Sequence, residues 1–214
     1  MQFLIIEWLK FFPALVLLFT PLGLFYSSKK TGYRNISDDG DVHWLRVLTH
    51  GGHAIDLVRA ALGTWLVLDS LHQVPSPHGL AKYAALLTQG FIYILAVWVQ
   101  TGSCRRPDSI NAPFAFVTGL LLAGISPFVA LFALAVAILF AIGTRSPALF
   151  FPVVALAHLG IGIWFNGAGS VLRLGFGPFA AMIPLLWSMM FHRDLVITYR
   201  AGRAKQGDQL DRMR

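Results

Sequence analysis

Apolar residues in this chain arrive in long unbroken runs, and short polar stretches separate them. Neither a 3.6-residue nor a two-residue alternation with polar positions dominates, so most segments read as apolar all round. A helix of that kind is buried on every side, in a large core or in lipid. About 20 apolar residues are needed to cross a ~30 Å hydrocarbon layer. The runs predict helical segments at residues 3–26, 54–71, 80–101, 111–126, 127–143, 147–165 and 175–191. The expected fold class is therefore all-α: a polytopic transmembrane helical bundle of about seven spans. It would have six spans if the first segment is only half-inserted. That segment carries Pro13 and Pro21, each of which removes a backbone donor and predicts a kink.

The count of spans turns on residues 111–143. As one helix of 33 residues this run would measure about 50 Å, too long for a single crossing. Gly124-Ile125-Ser126-Pro127 supplies a breaker in its middle. Residues 27–53 read as a cytoplasmic loop. Within it, Trp44, Leu45, Val47 and Leu48 beside His43 and Arg46 suit a short helix at headgroup depth. Gly51-Gly52 then permits a break before the second span. The last helix is expected to continue to about residue 200, and residues 198–214 form a polar cytoplasmic tail. The chain as a whole, 1–214, reads as a single integral membrane domain.

Composition agrees with this solvent. Hydrophobic residues make up 56% and charged residues 13%, against about 25% charged in an ordinary soluble domain. Mean hydropathy is +0.65. The net charge of +7 could suggest nucleic-acid binding, but no basic run interleaves with aromatics as such a surface requires. The basic residues sit between apolar segments instead. With seven spans, thirteen fall on one side, among them Lys29, Lys30, Arg34, Arg46, Arg105, Arg106 and Arg145. Three, Lys10, Lys82 and Arg173, fall on the other. Lys and Arg are retained in the cytoplasm, so the N-terminus is expected outside and the C-terminus inside, in a bacterial plasma (inner) membrane. The single cysteine, Cys104, excludes an internal disulfide and a thiolate metal cage. The N-terminus lacks the basic stretch and small-residue site of a cleavable signal.

Candidate chemistry concentrates where the polar loop meets the second span. His50, His53, Asp56 and Arg59 step by three, so neighbours along the series can touch on a helix. The sharp reading is a polar site: a proton relay, an anion or metal site, or a catalytic His–Asp couple. The plain reading is an interfacial ion pair with a snorkelling arginine. His158 in the sixth segment is the histidine best placed for the bilayer interior, as an intramembrane ligand or proton site, or as a neutral imidazole bonded to a neighbouring helix. No set of metal ligands is complete, and the residues leave the cofactor unknown, with haem, metal and quinone all open. A retinal-type Schiff base is excluded because the last segment has no lysine. Ala133, Ala137 and Ala141, and Gly119 with Ala123, form small-residue stripes that let helices approach closely.

No catalytic signature appears. The expected role is a non-catalytic subunit or assembly component of a membrane complex, with the lipid bilayer and other membrane subunits as partners and no nucleic acid. The alternatives are a small-solute transporter or channel-like protein, and a membrane enzyme or electron-transfer subunit using the His–Asp cluster.

Overall fold

The computed structural model describes residues 4–21, 31–36, 51–74, 83–104, 108–124, 126–167 and 171–200. His50, the expected interfacial helix around Trp44, and residues 201–214 lie outside them. Seven α-helices are found among the described residues: α1 (Trp8–Phe19), α2 (Gly51–Ser70), α3 (Ala84–Gly102), α4 (Phe114–Leu122), α5 (Pro127–Gly143), α6 (Phe150–Asn166) and α7 (Val171–Phe191). A 3₁₀ turn, Pro147–Leu149, leads into α6. Five short strands accompany them: β1 (Leu4–Ile6), β2 (Thr31–Asn35), β3 (Leu71–Gln73), β4 (Ser109–Asn111) and β5 (Asp194–Arg200). The chain is mostly helical, as its apolar runs predict. The strands were not anticipated.

Helix ends follow local chemistry. Thr20 is extended (ψ 114°) because it precedes Pro21, and α1 stops at Phe19. Pro21 therefore ends the helix rather than kinking it, while Pro13 lies inside. The expected first span also loses residues 4–6 to β1. Gly51 and Gly52, expected to permit a break before the second span, are themselves helical and belong to α2. The last helix does not run on to residue 200. His192 adopts a left-handed conformation (φ 51°), and the Arg193 N–H bonds back to Ser188 O at 3.2 Å. That is a Schellman ending. The β-branched and aromatic residues beyond it then form β5.

The strands define two opposite ends. β1 pairs antiparallel with β3, which directly follows α2. β5 pairs antiparallel with β2 and parallel with β4, so a three-stranded sheet forms at the other end. His53, in the first turn of α2, bonds to Thr198 of β5. Because α2 has 20 residues, the two sheets stand about 30 Å apart. α4 leaves the β5 end immediately after β4, and α7 returns to it just before β5. α6 and α7 are joined by a short connection, as are α5 and α6, so α5 runs toward the β5 end. The chain therefore reverses between α4 and α5, at the predicted Gly-Ile-Ser-Pro break. Direction alternates through all seven helices.

Packing rests on small residues. Ala133, Ala137 and Ala141 are fully buried along α5, which packs on α6. Gly119 lies so close to Leu57 O and Ala60 of α2 that a Cβ there has no room. Phe114 stacks on Phe151 and both meet Phe150 edge-on, with centroids 4.7–5.5 Å apart, which ties the start of α4 to the start of α6.

Many large apolar side chains face outward. Leu9 is 94% exposed, Trp164 86% and Phe128 76%, with Leu131, Phe132 and Leu139 also exposed along α5. Two helical stretches, Ala84–Gly102 and Pro147–Asn166, are long and apolar enough to cross a membrane. Trp8–Phe19, Pro127–Gly143 and Gly175–Phe191 are apolar but shorter. α2 has the length, but Asp56, Arg59 and Asp69 reduce its hydropathy.

Candidate functional site

α1 ends inside the bundle, and that creates a demand. The last four carbonyls of a helix have no intrahelical donor. Here Thr20 supplies Val16 O, and two neighbouring helices supply Leu17 O and Leu18 O. Arg59 of α2 donates through Nη1 to Leu17 O at 2.6 Å. Gln100 of α3 donates through Nε2 to Leu18 O at 2.9 Å and Thr20 O at 3.2 Å. Arg59 Nη2 in turn donates to Gln100 Oε1 at 2.8 Å, so the two capping side chains hold each other. A cation at a helix C-terminus also complements the helix dipole.

The remaining faces of the guanidinium are occupied too. Its Nε donates to Asp56 Oδ1 at 2.7 Å, one turn back on α2. Its carbon lies 4.9 Å from the centroid of the Phe116 ring of α4. Arg59 is 6% exposed. Burial at this level requires pairing and hydrogen bonding, and Arg59 has both. The arrangement joins α1, α2, α3 and α4 at one point.

The predicted series of four is thus partly assembled. Asp56 and Arg59 pair as their spacing requires. His53 reaches across to β5, where its Nε2 donates to Thr198 O at 2.7 Å; a carbonyl only accepts, so Nε2 carries the proton. A narrow polar cleft runs beside these residues, lined by His53, Asp56, Gln100, Ser103, Cys104 and Asn111 among others. Among the described residues, no three His, Cys, Asp or Glu side chains are grouped to hold a metal ion.

His158 lies elsewhere. It is buried on α6 and lines a second cavity of about 30 Å³ between α2, α3, α4, α6 and α7. Leu68, Leu86, Leu120 and Leu121 make its apolar wall, together with Gly90, Gly124 and Gly177. The Phe176 ring fills the position where a side chain at Gly90 would stand. Tyr93 of α3 and Gln89 are the other polar residues of the lining. Tyr93 Oη and His158 Nδ1 have no hydrogen-bond partner. With Thr64 Oγ1 they are the buried side-chain atoms in that condition among the described residues. Such atoms are rare in folded proteins. Nothing in the sequence pattern singles out Tyr93. A tyrosine facing a histidine from a distant helix leaves no local spacing to find.

A third cluster marks the opposite end. Lys10 Nζ bridges Glu7 and Asp69, at 2.8 Å each, and His72 Nε2 lies 2.6 Å from Glu7 Oε1. These groups link α1 to α2 and β3 at the surface. Hydrogen bonding from Lys10, and then from His72, holds the Glu7 carboxyl below its usual range.

No family model, curated protein or solved structure matches the chain.

Proposed function

We propose that this chain is an integral membrane protein of seven passes, acting as a non-catalytic subunit or assembly component of a membrane complex. One observation carries the membrane reading: large apolar side chains are exposed along helix after helix, from Leu9 and Phe12 on α1 to Met189 and Met190 on α7. Soluble monomers rarely expose such a contiguous area, whereas lipid solvates it. The alternating direction of the seven helices supports an odd number of crossings. Of the described basic residues, Arg145 and Arg193 lie at the β5 end and Lys10 at the other, in the sense that puts β5 in the cytoplasm. The non-catalytic reading is supported by the use of Arg59 and Gln100: they cap α1, and so are committed to holding helices together.

A transporter is the second reading. It is favoured by α4, whose nine residues measure about 13.5 Å. A helix this short, broken inside a bundle, can line a solute site.

The test is topological and biochemical. Reporter fusions at residue 1 and residue 214 should report opposite compartments, and the chain should resist extraction from membranes by alkaline carbonate. Release by carbonate would overturn the membrane reading. A stoichiometric partner on mild detergent purification would support the subunit reading. Solute flux in liposomes holding this chain alone would replace it with the second.

A further inference from the structure

We propose that the cavity between α3 and α6 is an internal hydration site, holding one or two water molecules that complete the hydrogen bonding of Tyr93 Oη and His158 Nδ1. Both residues line it. They are 7% and 5% exposed, come from different helices, and each carries a polar atom without a protein partner. A buried polar atom left unpaired forfeits its hydration with nothing in return. An ordered water restores the bond at a small cost in its own entropy. The cavity measures about 30 Å³, close to the ~30 Å³ share of one water in the liquid. That is room for water and not for a lipid or an organic cofactor.

The lining selects water over other occupants of that size. It contains no Asp, Glu, Lys or Arg, so an ion entering it would shed its hydration without a counter-charge. Wholly apolar cavities stay dry, but this one has Tyr93, His158 and the partly exposed Gln89 in its wall. A phenol both donates and accepts, and Nδ1 of a neutral imidazole donates in one tautomer and accepts in the other. Water matches every combination, because it also does both. With two molecules in a chain, Oη and Nδ1 need not reach the same oxygen. The end of α4 adjoins the cavity through Leu120, Leu121 and Gly124, and the closing carbonyls of a helix accept readily from water. The site thus sets exchangeable hydrogens inside the bundle, beside the break where the chain reverses.

The inference goes beyond the subunit reading and does not depend on it. X-ray radiolysis tests it, because hydroxyl radicals formed from a trapped water oxidise the side chains beside it. The full chain is irradiated in maltoside micelles, and oxidation is located by mass spectrometry and corrected for intrinsic side-chain reactivity. Tyr93 should be oxidised at least about threefold faster than Phe11 and Phe114, which are 8% and 7% exposed, since a bound water supplies the radical at its side. The double variant Tyr93→Phe with His158→Leu removes both polar atoms, and oxidation at position 93 should fall to the level of Phe114. Stability is a second readout, and its sign differs between a wet and a dry cavity. With water present, Tyr93→Phe takes a bond from a satisfied network and lowers Tm. In a dry cavity the same variant removes an unpaired hydroxyl and leaves Tm unchanged or raised. Oxidation of Tyr93 no faster than that of Phe114 overturns the site. So does an unchanged or raised Tm in Tyr93→Phe, or undiminished oxidation at position 93 in the double variant. Should the double variant fail to fold, labelling of the natural chain and the Tm of Tyr93→Phe still decide.

Discussion

Replacing Arg59 with Met keeps much of the side-chain volume and removes the charge and every donor. Three hydrogen bonds vanish, to Asp56 Oδ1, Leu17 O and Gln100 Oε1, at 2.7, 2.6 and 2.8 Å. The Asp56 carboxylate, only 15% exposed as a side chain, loses its counter-charge. A carbonyl at the end of α1 loses its donor as well. Removing one member of a buried, hydrogen-bonded ion pair costs about 3–5 kcal/mol, because the other is left buried and uncompensated. For a chain of this size that corresponds to a fall in Tm of roughly 6–20 °C. Tryptophan fluorescence in detergent can follow the transition, with the Trp98–Trp187 contact at 4.7 Å as a reporter. The decisive control is the double variant Arg59→Met with Asp56→Leu. It removes the carboxylate that has lost its Arg59 counter-charge, so it should be more stable than Arg59→Met alone, with a coupling of at least about 1 kcal/mol in the cycle. If Arg59→Met unfolds within about 1 kcal/mol of the natural chain, and the cycle closes without coupling, the capping role assigned to Arg59 is wrong.

Three other perturbations probe different parts of the fold. Gly119→Val puts a branched side chain against the α2 backbone at Leu57; it should destabilise by at least about 1–3 kcal/mol, seen as loss of the monodisperse peak on size exclusion. His53→Ala frees β5 from α2 at a cost of about 1 kcal/mol, and faster amide exchange at residues 194–198 relative to α5 would show it. Glu7 has its carboxyl held below the reference value of 4.5 by Lys10 and His72. A lowered folded value means the contribution is complete above about pH 4.5 and is lost as pH falls through the folded value. Unfolding measured from pH 7 to pH 3 should therefore show an acid limb that is shallower in Glu7→Gln, and the difference should shrink in high salt.

Much of the helical layout is written locally. α5 begins at Pro127 and ends at Gly143 as its apolar run predicts, and the Gly-Ile-Ser-Pro break separates it from α4. The alanine stripe on α5 and Gly119 on α4 are buried where small residues were expected to permit close approach. Asp56 and Arg59 pair because a spacing of three forces neighbours on a helix together. The strands escaped notice for an equally local reason. Leu4-Ile5-Ile6 and Leu195-Val196-Ile197 are apolar runs beside helices, and composition alone reads them as more helix. Their partners, Leu71 to Gln73 for β1 and residues of β2 and β4 for β5, are remote in the chain.

What the sequence settles by itself, then, is the helical class, the positions of most helices and the small-residue faces, since each depends on residues within a turn or two. What only the tertiary structure decides is which distant groups meet. Arg59 is the donor for a helix end 42 residues away and the partner of a glutamine 41 residues on. Tyr93 and His158 share a cavity because α3 and α6 were brought to either side of it. Hydrogen-bond demand at a buried helix end or in an internal cavity arises when the helices pack, and no periodicity along the chain encodes it.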